Sequence, residues 1–282
     1  MTLPVHIAIV SEIPESKLPF AEVANVSAAL AKQVLRDFGP IWQIQATVDA
    51  FQSLDRVPPG YWPVIVKEKL DDPDAAGYHT DKNGNPFALV QFSRSWSLTA
   101  SHEVLEMLAD PFGNRVVSSV SPWDNKTRVE ILVEVCDPSE DDAFSYNVNG
   151  VAVSDFYTPR YLDPVTAPGV RYGFTSGLTA AREVLKGGYI SFHDLSDDHW
   201  YQVTWFHTKK KLEDLGPLTA ANGPIRSQID RLTAKRTNKL SAGLTSTNAT
   251  VKRSLTQLES IDAGAGAKAR MWRSQIKNLG KG

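Results

Sequence analysis

The sequence predicts an α/β (α+β) protein: a mixed sheet carrying one buried helix, followed by a basic helical extension. Three observations lead there. The first 110 residues run in the order β-α-β-β-β-α. Two later stretches read as hairpins, one of them around Asn149-Gly150. The charge is also divided. The net charge of the 282 residues is −2, yet residues 1–206 hold 15 basic and 27 acidic residues, a net −12. Residues 207–282 hold 15 basic and 5 acidic, a net +10. An acidic body and a basic tail imply two parts, 1–206 and 207–282, with different partners.

Each element has its own signal. Residues 5–10 alternate and are β-rich, so they predict a strand. Residues 20–38 predict a helix, because Val23, Val26, Leu30, Val34 and Phe38 recur at three- and four-residue steps; Gly39-Pro40 is its expected stop. Strands are expected at 41–51 and 63–70. The polar stretch 71–86, with Gly77, Gly84 and Pro86, predicts a loop. A short strand at 87–92 leads into a helix at 98–109, closed by Asp110-Pro111. Strands follow at 115–120 and 128–136, then the hairpin 145–148/151–156. A short helix at 178–185, closed by Gly187-Gly188, precedes a hairpin of 189–192 with 200–206.

Composition narrows the function. Hydrophobic residues make up 42% of the chain, enough for an ordinary core, and no apolar run reaches the ~20 residues that span a bilayer. Cys136 is the only cysteine, which excludes an internal disulfide framework and a four-cysteine zinc site. The first residues show no basic leader or cleavage site, so a cytoplasmic location is expected. No phosphate-binding glycine loop, nucleotide fingerprint or Gly-x-Ser-x-Gly elbow is present.

The chemistry-bearing segment is Ser101-His102-Glu103-Val104-Leu105-Glu106. On a helix His102 and Glu106 are four residues apart, so they share a face about 6 Å apart along the axis. An imidazole nitrogen and a carboxylate oxygen at that spacing can bind one metal ion. Glu103, rotated by ~100°, can reach a water on that ion. This is the H-E-x-x-H geometry with glutamate in place of the second histidine. It predicts metal-assisted hydrolysis, with Glu103 as the catalytic proton carrier. A histidine and two glutamates on a helix are commonly a solvated face. Here Val104, Leu105, Met107, Leu108 and Ala109 predict a buried one, and buried acids need a partner.

The β-α-β-β-β-α order before this helix resembles the N-terminal half of zincin metallopeptidases. The motifs Ser-His-Glu, Leu-Glu-Met-Leu-Ala-Asp-Pro and Val-Glu-Val-Cys-Asp-Pro resemble those of a family of bacterial and phage proteins over residues 3–206. The resemblance implies a zincin-like metal-dependent hydrolase acting on a peptide or protein substrate. It departs from standard zincins at Glu106.

The third metal ligand is open among three acids. Asp137, stiffened by Pro138 at a strand end, is favoured over Glu134 and Asp110. Asp110 lies ~12 Å along the axis from His102, which suits a helix terminator better than a ligand. Zn²⁺ is the favoured ion, and the oxygen-rich set leaves Ca²⁺ and Mn²⁺ as alternatives. The acidic run 137–142 reads as a solvated turn or, less readily, a Ca²⁺ loop. His79 reads as a surface histidine, Tyr157 and Tyr161 as packing residues, and Cys136 as a buried thiol. A second function class is an inactive zincin-like binding module. In the tail, Ile225, Ile229, Leu232, Leu240 and Leu244, then Val251, Leu255, Leu258 and Ile261, lie near helical spacing and allow homo-oligomerisation. Nucleic acid is a less favoured partner of the tail, whose only aromatic near the end is Trp272.

Overall fold

In the computed structural model, residues 4–70 and 75–233 are described. The architecture is mixed α+β, as the sequence predicts. The first sheet holds β1 (Val5–Ser11), β2 (Ala46–Phe51), β3 (Tyr61–Lys67), β4 (Gly77–Lys82) and β5 (Asn85–Gln91), in the order β2-β1-β3-β5-β4. Its pairings are parallel except β4 with β5. Its central strands β1, β3 and β5 are buried on both faces. Ile7, Ile9, Val64, Val66, Ala88 and Val90 face the helices, while Ala8, Val10, Ile65 and Leu89 pack on Leu54, Val57 and Leu70.

Helix α1 (Phe20–Lys32) crosses from β1 to β2 and runs into a π-helical turn, Gln33–Phe38. The expected stop at Gly39-Pro40 is corrected. Proline is tolerated in a first turn, and a short α2 (Gly39–Trp42) follows, ending where Gln43 turns left-handed at φ 56°. Strand β2 therefore begins later than expected, at Ala46. The buried Gln33 side chain donates to the Ser154 carbonyl (2.9 Å) and the Tyr146 hydroxyl (3.1 Å), and accepts from Ser101 Oγ (2.8 Å). It thus ties the π-helical turn to the residue before His102.

The loop expected at 71–86 is corrected as well. Residues 77–82 form the edge strand β4, joined to β5 by Asn83 and Gly84, both at positive φ. This is the Asn-Gly hairpin chemistry that also joins β8 (Tyr146–Val148) to β9 (Val151–Val153). Helix α3 (Trp96–Ala109) then packs under β4 and β5.

The second sheet is antiparallel, in the order β12-β11-β10-β7-β6. It contains β6 (Val116–Val120), β7 (Arg128–Leu132), β10 (Tyr189–Asp194), β11 (His199–Thr204) and β12 (Lys211–Gly216). Strand β7 stops at Leu132, short of the expected 136. The helix expected at 178–185 is absent. The Glu183 carboxylate accepts from the Thr179 and Ala180 amides, and Arg182 is left-handed at φ 57°, so this stretch folds as a turn.

The boundary expected at residue 206 is crossed by the fold. Strand β12 completes the second sheet, and α4 (Ile225–Thr233) buries Ile225 and Ile229 against Leu132, Trp200 and Leu215. The first half of the tail's apolar stripe is therefore spent inside the protein. Leu240, Leu244, the Val251–Ile261 stripe and Trp272 lie outside the described residues. Among the described residues, no helix is long and apolar enough to cross a membrane.

Candidate metal centre

Helix α3 is apolar on nearly every side, and its two acids are buried with it. Glu103 is 3% exposed and Glu106 is fully buried. The i, i+4 spacing sets His102 Nε2 3.1 Å from Glu106 Oε2. After β7 the chain leaves the ladder, and the Cys136 amide donates to Glu106 Oε1 at 3.1 Å. That bond draws the next turn onto the helix and brings Asp137 Oδ1 to 3.2 Å from His102 Nε2. His102, Glu106 and Asp137 thus meet at one imidazole nitrogen.

His79 joins them from β4. Buried at 1% exposure, it is not the surface histidine the sequence suggests. Its Nδ1 lies 3.5 Å from Glu103 Oε2 and 3.9 Å from Glu106 Oε2. Its Nε2 lies 3.1 Å from the Asp110 carbonyl. Asp110 itself ends α3, and its Oδ2 accepts from the Arg115 amide at 2.7 Å. Asp110 supports the site from behind. Among the described residues, four sets of three donors have ligand atoms within 4.8 Å of one another: His102, Glu106 and Cys136; His79, Glu103 and Glu106; His102, Asp137 and Glu140; Glu106, Glu134 and Asp137. Glu106 belongs to three of the four, which makes it the centre of the cluster.

The cluster's polar atoms are unusually unsatisfied. Among the described residues, His79 Nδ1, Glu103 Oε2, Glu106 Oε2, Asp137 Oδ1 and both Glu134 oxygens are buried without a hydrogen-bond partner. Such orphans are rare in proteins and each calls for a cause. Adjacent donors of a tetrahedral ion bound at ~2.1 Å stand ~3.4 Å apart, close to the 3.1 and 3.2 Å around His102. The donor chemistry fits a divalent cation.

Sequence reasoning missed Arg226, which α4 inserts into the same pocket. It is 6% exposed. Its Nη1 lies 2.5 Å from Asp137 Oδ2 and 3.6 Å from Glu134 Oε2, its Nε lies 3.1 Å from Asp230 Oδ1, and its Nη2 donates to the Tyr189 hydroxyl at 3.0 Å. The only legible trace was the i, i+4 spacing of Arg226 and Asp230. Tyr157 is buried nearby, its hydroxyl without a partner among the described residues, whereas Tyr161 donates to the Glu183 carbonyl.

Electrostatics follow from this crowding. Burial opposes charge on His102, but Glu106 and Asp137 hold its pKa well above the ordinary histidine value. Burial likewise opposes charge on Glu106, yet His102, Arg226 and His79 hold it below the usual carboxylate range. Burial, with Glu106 and Asp137 beside it, pushes Glu134 well up. Burial and Asp137 push Glu140 up to about 8. The pocket thus holds more carboxylates than it has fixed cations to balance them.

Gly188 sets the position of Asp137. A Cβ there would stand 2.4 Å from the Pro138 carbonyl oxygen and 2.7 Å from that of Asp137. Gly188→Ala is therefore expected to displace the turn, lowering stability by about 1–3 kcal/mol and weakening cation binding together. Thermal melts with and without added Zn²⁺ check this, and wild-type values in both would show that the turn is placed otherwise.

Comparison of the chain with protein-family models, with curated proteins and with solved structures returns no match.

Proposed function

We propose that this protein is a divalent-metal-dependent hydrolase of zincin-like type, cleaving a peptide or amide bond. The observation that carries the reading is Glu106 Oε2. It is fully buried, accepts no hydrogen bond among the described residues, and has the imidazole nitrogens of His102 and His79 at 3.1 and 3.9 Å. In this reading His102, Glu106 and Asp137 hold the ion. Zn²⁺ is favoured, with Mn²⁺ and Ca²⁺ as oxygen-tolerant alternatives. A bound divalent ion supplies Lewis acidity, which acidifies water and polarises a carbonyl. Arg226 pins Asp137 Oδ2, which leaves Oδ1 turned toward His102. Glu103 carries the proton in a one-ion centre. Strand β4, which among the described residues pairs with β5 alone, is an edge to which an extended peptide can add.

A second reading, a non-catalytic binding module, is favoured by the closure of the pocket. The His102 side chain is 13% exposed, while those of Glu106, Asp137, His79 and Glu103 are at 4% or less. Glu103→Gln separates the two. In the hydrolase it keeps the fold and abolishes cleavage, because the proton carrier is gone. A metal-loaded wild-type protein that cleaves nothing in a broad peptide library supports the binding module instead.

A further inference from the structure

We propose that the corner between β4 and α3 is a second divalent-cation position, held by His79 Nδ1, Glu103 Oε2 and Glu106 Oε2, with Glu106 shared between it and the His102 position. All three donor atoms are buried and lack hydrogen-bond partners among the described residues. The orientation of His79 is fixed by a group that can only accept. The Asp110 carbonyl lies 3.1 Å from Nε2, so Nε2 carries the hydrogen, and the lone pair of a neutral ring lies at Nδ1. That lone pair faces two carboxylate oxygens at 3.5 and 3.9 Å. For the neutral ring that arrangement is repulsive unless a proton or a metal ion lies between. A proton there would hydrogen-bond well to neither oxygen, since both distances exceed the ~3.2 Å limit of a good N–H···O contact. Donors around an ion fit better: ~3.4 Å is the tetrahedral spacing at ~2.1 Å, and a larger ion bound at ~2.4 Å reaches the longer edge.

Two further features agree. Arg226 pairs with Asp137, Glu134 and Asp230, so Glu103 and Glu106 have only the imidazoles as ion-pair partners among the described residues. Gly77 makes room for Glu103: a Cβ there would stand 2.8 Å from Glu103 Oε1 and 2.7 Å from Thr99 Cγ2. Two divalent ions sharing a carboxylate suit hydrolysis in which the attacking and leaving oxygens are both clamped. The inference rests on the His102 position of the proposed function and changes one role in it. With Oε2 on an ion, that oxygen of Glu103 is a ligand and not a proton acceptor.

Counting Mn²⁺ per chain by elemental analysis, with electron paramagnetic resonance for spin coupling, tests the proposal on the full-length protein. Wild type is expected to hold two coupled Mn²⁺ ions. His79→Ala, or His79→Gln if the alanine variant does not fold, should hold one uncoupled ion, and Glu103→Gln should also fall from two to one. One ion in wild type and an unchanged count in both folded His79 and Glu103 variants would overturn the second position and leave the His102 reading standing. One ion lost in the His79 variant but kept in His102→Ala would overturn the shared centre and the His102 reading together. No Mn²⁺ in folded wild type would overturn both.

Discussion

Arg226→Met is expected to destabilise the protein by about 3–5 kcal/mol, the usual result of removing one partner from a buried ion pair. The guanidinium lies between Asp137, Glu134 and Asp230, and each loses its cation when it goes. Methionine keeps the packing volume, so the loss reports charge and hydrogen bonding. At roughly 2–4 °C per kcal/mol for a domain of this size, the melting midpoint should fall by roughly 10 °C. Arg226→Lys should recover part of it, since it restores the charge but not the forked contact to Asp137 and Tyr189. Truncation before α4 should match or exceed Arg226→Met, because it also removes Ile225 and Ile229 from the core. A wild-type midpoint in both would show that α4 belongs to a separate tail.

Glu106→Gln is expected to abolish the stabilisation that a divalent ion gives the wild type. An ion at 100 times its dissociation constant raises stability by about 2.7 kcal/mol. Glutamine keeps an oxygen to accept from the Cys136 amide, so the turn stays on the helix, while the carboxylate at the centre of the cluster is gone. Melts recorded with chelator and with excess Zn²⁺ should differ for wild type and coincide for the variant. An equal Zn²⁺-induced rise in both would remove Glu106 from the ligand set.

How much of this was legible depends on how far apart in sequence the parts lie. His102, Glu103 and Glu106 share one helix, so three- and four-residue steps reveal them. Asp137 was reachable because a strand end beside a helix is a local feature. His79 was hidden by composition: Gly77, Asp81, Lys82, Gly84 and Pro86 look like loop residues and outweigh the strand preference of Tyr78 and Thr80 in the polar edge strand β4. Asn83-Gly84 carried the correct turn signal, but the surrounding polarity masked it. Arg226 was hidden by topology. It comes 89 residues after the aspartate it pairs with, and only the docking of α4 brings the two together. Charge segregation suggested a boundary at 206, but the sheet and α4 extend beyond it. The missing helix at 178–185 shows side-chain capping of backbone amides overriding a short apolar pattern.

A divalent metal centre formed by α3, β4 and the Asp137 turn is the proposal on which the chemistry rests. Calorimetric titration of chelator-treated wild type and His102→Ala with Zn²⁺ tests it most directly. Stoichiometric binding to wild type is expected, with loss of at least the His102-dependent ion from a variant that melts as a folded protein. Folded wild type that binds no Zn²⁺, Mn²⁺ or Ca²⁺, or a His102→Ala titration identical to wild type, would contradict it.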